Sequence, residues 1–115
     1  MRGFRENEKG VALMNNKKLS YDELLHLFEI GANIDETVFY FDDDPSEEEH
    51  YIGYLPQYEK PYWAGYCDVV DGCAFQTAQE LFTAKIYDGL SIKERWGHLR
   101  LVEIAGVPIE NWKET

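Results

Sequence analysis

Six carboxylates stand within eight residues at Asp42-Asp43-Asp44-Pro45-Ser46-Glu47-Glu48-Glu49, between two aromatic, strand-like segments. Such a run could ligate a hard cation, dock a basic partner, or only solvate a loop. Calcium takes oxygen ligands in number, but the spacing is not D-x-D-x-D-G and no glycine lets the chain wrap an ion. A metal site is therefore not expected. Docking remains the sharper reading, with solvation as the bland one. The predicted contact set is Asp42, Asp43, Asp44, Glu47, Glu48 and Glu49, flanked by Tyr40, Tyr51 and Tyr54.

The other candidate groups are sparse. His26, His50 and His98 show no H-x-x-x-H spacing and the cysteines no C-x-x-C, so zinc is not indicated. His26 falls inside a predicted helix, and His50 and His98 open predicted strands, so all three read as surface or boundary histidines. Cys67 and Cys73 straddle Asp71-Gly72. A two-residue turn there points them to opposite sides of the sheet, which argues against a disulfide and for a reducing compartment. G-x-S-x-G, a P-loop and G-x-G-x-x-G are all missing from the sequence, so no catalytic residue and no cofactor is assigned.

The bulk numbers bound the function. A chain of 115 residues makes one domain with a modest core. Its 44% hydrophobic and 15% aromatic content suits a folded chain. With 22 acidic against 11 basic residues, the net charge of −11 disfavours nucleic acid and anionic membranes as partners, because phosphate contacts need clustered Lys and Arg. No apolar run is long enough to cross a bilayer and the N-terminus lacks a signal-like apolar stretch, so the cytoplasm is the default expectation.

These groups must be positioned by a scaffold, and its elements are legible. Ser20-Tyr21-Asp22-Glu23 forms a capping box, and Leu19 and Leu24 stand where a hydrophobic staple needs them. A helix over about 21–30 follows, stopped by Gly31. Strands are predicted over 37–41, 50–55, 62–70, 73–75 and 99–104 from their β-branched and aromatic content. The first two pair as a hairpin with the carboxylates at its tip. Thr77-Ala78-Gln79-Glu80 and Ser91-Ile92-Lys93-Glu94 are further capping boxes, each opening a short helix. Lys93-Glu94-Arg95-Trp96 reads as an exposed basic spot with Trp96 turned inward. Asp88-Gly89 and Ala105-Gly106 are turns, and Trp112 docks the C-terminus. The predicted class is α+β: one domain over 14–115, an antiparallel sheet of about five strands, one N-terminal helix and two short ones.

Residues 1–13 read differently, as polar and without periodicity. Glu8-Lys9-Gly10-Val11 back-translates to include the ribosome-binding sequence AAGGAG a short distance before the codon of Met14. The expectation is a leader followed by a native start at Met14, which an intact mass from the protein's own host reads directly.

Three functions follow. The first is an acidic module that binds a basic protein through the carboxylate loop, since opposite charges steer encounter and fix register. In size, charge and aromatic content the chain resembles small acidic bacterial immunity proteins and DNA-mimicking inhibitors, a likeness of character that no alignable motif carries. It implies masking of a basic partner such as a nuclease. The second is a small-molecule binder or small enzyme, with an aromatic pocket between the first helix and the sheet lined by Tyr62, Trp63, Tyr66 and His98. The third is an oligomerising subunit that uses a sheet edge or an aromatic face.

Overall fold

The structure is a computed structural model that describes residues 19–65 and 73–112. Helix α1 (Tyr21–Glu29) begins where its cap dictates. Ser20 Oγ accepts the Glu23 amide at 3.1 Å, and the Ser20 amide donates back to Glu23 Oε1 at 2.7 Å. It ends on Gly31, whose φ of +67° lets the chain turn so that the amides of Gly31 and Ala32 donate to the carbonyls of Phe28 and Leu27. Leu24, Leu27 and Phe28 form its buried side.

Strands β1 (Thr37–Phe41), β2 (His50–Tyr54), β3 (Tyr62–Gly65), β4 (Cys73–Phe75), β5 (Leu99–Ile104) and β6 (Val107–Pro108) make one antiparallel sheet in the order β4-β3-β2-β1-β5-β6. The fold is thus a single α+β domain, as expected from the sequence, with six strands in place of about five. The sixth is the two-residue return Val107–Pro108, paired to Ile104 and Glu103 across the Ala105-Gly106 turn. The third strand is described only to Gly65, and Tyr66, Cys67 and the Asp71-Gly72 turn lie outside the described residues, as do residues 1–13 and Met14.

Helix α2 (Ala78–Thr83) starts on the second capping box, with Glu80 donating its amide to Thr77 Oγ1 at 3.0 Å. The third box also closes, Ser91 to Glu94 at 2.9 and 3.0 Å. No α-helix follows it, which corrects the expectation. The segment makes turns and a short 3-10 stretch, Trp96–His98, that hands the chain to β5. The Leu99 strand begins immediately after and ends the helical run.

One face of the sheet carries the core. Thr37, Phe39 and Phe41 of β1, Ile52 of β2, Tyr62 and Ala64 of β3, and Leu99 and Ile104 of β5 point toward α1, α2 and the segment through Ile86, Tyr87 and Ile92. Leu101 and Ile104 both serve this face although they are three residues apart. The register between β1 and β5 slips between Val38 and Phe39, so Val102 is passed over and the alternation resets. The opposite face carries Val38, Tyr40, Tyr51, Gly53, Trp63 and Glu103; Val38 and Gly53 are buried there, and Tyr40, Tyr51, Trp63 and Glu103 are half-buried. No helix among the described residues is long and apolar enough to cross a membrane.

Candidate functional site

The acidic run does form the tip of the β1–β2 hairpin, with Phe39 opposite His50 and Val38 opposite Tyr51. Its two halves are built differently. Asp42 donates its amide to the His98 carbonyl at 2.8 Å, and its carboxylate takes His98 Nδ1 at 2.9 Å and Arg100 Nη2 at 2.6 Å. Asp43 holds Arg95 Nη2 at 2.7 Å. Asp44 turns inward on its own loop, accepting the Ser46 amide at 3.0 Å and the Ser46 hydroxyl at 2.9 Å. By contrast Glu47, Glu48 and Glu49 are exposed, and no ion pair reaches them among the described residues. The three aspartates hold the loop in place. The three glutamates face solvent.

Asp44 shows the electrostatic consequence. The Ser46 amide, then the Ser46 hydroxyl and the Glu48 amide, hold its carboxyl below its ordinary value of 3.8. Glu94 is likewise held below 4.5, first by Lys85 at 2.7 Å and then by the Ser91 amide. A carboxylate whose folded value is depressed adds stability above its unfolded range, and that stability is lost as pH falls through the folded value. The melting temperature is therefore expected to fall below about pH 4. Ser46→Ala should raise the Asp44 titration seen by carboxyl-carbon NMR and weaken that acid dependence. An Asp44 midpoint unchanged in the variant would contradict the loop geometry.

Arg95 is the residue sequence reasoning missed. Within the expected exposed basic spot, its side chain is only 11% exposed. The guanidinium lies 3.7 Å from the centre of the Phe41 ring while pairing with Asp43. Cation–π attraction to Phe41 and the charge-assisted bond to the more exposed Asp43 explain the burial together. Trp96, as expected, packs inward, edge-on to Tyr21 at 5.6 Å. His50 also departs from the boundary role expected of it. It is 9% exposed, caged by Phe39, Phe41 and Tyr87 at ring distances of 5.1 to 5.5 Å. His26 sits in the last turn of α1, exposed at the surface.

Asp42, Asp43 and His98 bring potential ligand atoms within 4.8 Å of one another. Both carboxylates already hold guanidinium groups, at 2.6 and 2.7 Å, so a cation there would have to displace Arg100 and Arg95. The arrangement fits a structural clasp better than a metal centre.

The expected flanking tyrosines divide. Tyr40 and Tyr51 are half-buried on the face opposite the core, close behind the tip. Tyr54 sits at the far end of β2 on the helix-covered face, its ring 4.8 Å from that of Tyr62. The proposed aromatic pocket is not assembled by the described residues. Tyr62 points under α1 and donates to the Phe28 carbonyl at 2.8 Å, and its burial, with Tyr54 and Glu29 nearby, pushes the phenol above its ordinary value. Trp63 points to the opposite face, and His98 is clasped by Asp42. A broad depression of about 480 Å³ does exist elsewhere, at the β4–α2 edge, lined by Lys60, Ala74, Phe75, Gln76, Glu80 and Thr83.

Trp63 is held in an unusual way. Its indole Nε1–H donates to Asp35 Oδ1 at 2.8 Å, and the same oxygen accepts the Tyr54 amide at 3.1 Å. Gly53, directly opposite Trp63 on β2, leaves the room: a Cβ there would fall 2.6 Å from Trp63 Cε2. The indole edge therefore lies against bare backbone. A glycine inside a strand often marks such a close approach, and that was the available sequence signal for the pair.

No family model, curated protein or solved structure matches this chain. Its function has to be argued from the groups just described.

Proposed function

We propose that this chain is a small acidic binding module that captures a basic protein through the tip of its β1–β2 hairpin. The observation that carries the reading is the division of labour within the loop. Asp42, Asp43 and Asp44 are spent on Arg100, Arg95, His98 and Ser46, so Glu47, Glu48 and Glu49 are exposed, without an ion pair among the described residues, on a loop pinned by those contacts. A preorganised acidic tip loses little side-chain and loop entropy on docking. Tyr40 and Tyr51 behind it supply aromatic area of the kind that anchors protein interfaces. The sharper form of the reading is an immunity- or inhibitor-type role, in which the tip masks the phosphate-binding cleft of a nuclease.

The test is capture from the native host by the wild-type chain and by a Glu47→Gln, Glu48→Gln, Glu49→Gln variant. A basic protein should be retained by the wild type, released as salt rises through a few tenths molar, and retained at least roughly tenfold less by the variant. The variant should melt with the wild type, because exposed loop charges contribute little to stability. Equal capture by both forms refutes the reading.

A further inference from the structure

The geometry points to an arginine-binding notch, made by half-buried Trp63 and exposed Asp35 on the face of the sheet opposite the core, that receives one arginine side chain of a protein partner. It rests on the reading of this chain as a binder of basic proteins and assigns the residue type that the partner inserts. Three features make the notch. The indole edge of Trp63 lies against the side-chain-free backbone of Gly53, and the residue is only half-buried, so part of the side chain meets solvent beside exposed Asp35. Its orientation is fixed by the 2.8 Å bond to Asp35, so no rotamer freedom is lost when a ligand stacks on it. Asp35 uses Oδ1 for both the indole and the Tyr54 amide, which leaves Oδ2 without a hydrogen bond among the described residues.

A flat aromatic surface beside a free carboxylate oxygen is complementary to a planar guanidinium. The cation stacks on the indole, the best of the aromatic faces for this purpose, and its N–H fork reaches the carboxylate. A lysine ammonium matches less well, being a compact and strongly hydrated charge without a plane to stack. The same chain already uses this pairing internally, where Arg95 lies over Phe41 and holds Asp43. Charge around the notch favours a cationic occupant: Glu36 follows Asp35 and is exposed, and Glu103 lies on the same face, half-exposed.

The notch also lines up with the acidic tip. Tyr51 stands between Gly53 and the loop on one face of β2, and three residue steps from Gly53 to His50 span about 10 Å. An extended basic segment of about four residues therefore reaches from an arginine on Trp63 to the glutamates at the tip.

The experiment uses the full chain labelled with nitrogen-15 and two blocked tripeptides, acetyl-Gly-Arg-Gly-amide and acetyl-Gly-Lys-Gly-amide. The Trp63 indole resonance, assigned by its loss in Trp63→Phe, is followed during titration. The arginine peptide should shift it saturably, and the lysine peptide should bind roughly three- to tenfold more weakly. Asp35→Asn, which keeps an acceptor for the indole, should weaken the arginine peptide by a similar factor while leaving the fold intact. The Glu47→Gln, Glu48→Gln, Glu49→Gln variant should bind it within about twofold of wild type, since the glutamates lie beyond a Debye length of about 8 Å at physiological salt. Equal response to the two peptides, or an unmoved indole, overturns the notch and leaves the tip reading standing. A specific arginine response together with host-protein capture that ignores the glutamates overturns the tip reading and leaves the notch.

Discussion

Phe39→Ala should unfold a large part of the population at physiological temperature, with a loss of about 3–5 kcal/mol against a total stability of about 5–15 kcal/mol for a domain of this kind. Phe39 is completely buried in β1, the strand that β2 and β5 flank on either side. Its ring meets Phe41 at 5.5 Å, His50 at 5.5 Å and Tyr87 at 5.8 Å. The hole left by alanine cannot close easily, because two of its walls, Phe41 and His50, belong to β1 and β2, interior strands of the sheet whose backbones are hydrogen-bonded on both sides. It also places the imidazole of His50 beside an apolar void. Urea or thermal unfolding measures the loss, which corresponds to a melting temperature lower by roughly 15–30 °C. Phe39→Leu, which refills most of the volume, should recover more than half of it. A loss below about 1 kcal/mol for the alanine variant would mean that the ring is not the centre of a close-packed core.

The second large effect is expected at Gly53, where a side chain should cost about 1–3 kcal/mol and remove the arginine notch in the same step. A Cβ added there would sit 2.6 Å from Trp63 Cε2 and closer still to Asp35 Oδ1, so the indole, the carboxylate or the strand has to move. Whichever moves, the Trp63–Asp35 bond at 2.8 Å and the Tyr54 amide bond at 3.1 Å are the first contacts strained. Gly53→Val in the wild-type chain should therefore lower the urea midpoint and shift the Trp63 indole resonance. In an Asp35→Ala background the same substitution should cost less, because the nearest obstructing atom is gone, and the double-mutant cycle measures that coupling. Additive effects, with an indole signal indifferent to Gly53, would show that the glycine is not what admits the ring.

The acidic tip behaves differently from either site, and the contrast is physical. Charges on Glu47, Glu48 and Glu49 are exposed and meet no ion partner among the described residues, so in the proposed function they act on encounter with a partner and not on folding. Charges on Asp42 and Asp43 are shared with Arg100 and Arg95, and Arg95 is nearly buried against Phe41. Neutralising all six carboxylates at once would mix a binding effect with a structural one. Neutralising the three glutamates alone keeps them apart.

What the amino-acid order determined by itself is local. The capping boxes at Ser20, Thr77 and Ser91 all form, because each needs groups only three residues apart and the geometry of one helical turn. The stop at Gly31, the hairpin carrying the carboxylates and the α+β class with antiparallel pairing were legible for the same reason: β-branched and aromatic runs joined by short connections leave few alternatives. The boundary was visible even in failure, since the Ser91 box closes without a helix once the following strand claims the chain. The tertiary structure decided everything that joins distant residues. Asp43 meets Arg95 across 52 positions, Asp42 meets His98 across 56, and Asp35 meets Trp63 across 28. Those meetings depend on β5 joining the sheet beside β1 and on β3 setting Trp63 opposite Gly53, choices of topology and register made by the packing of the whole sheet. No spacing rule along the chain encodes them. They separate the carboxylates that hold the loop, Asp42 and Asp43, from Glu47, Glu48 and Glu49, which meet no ion partner among the described residues.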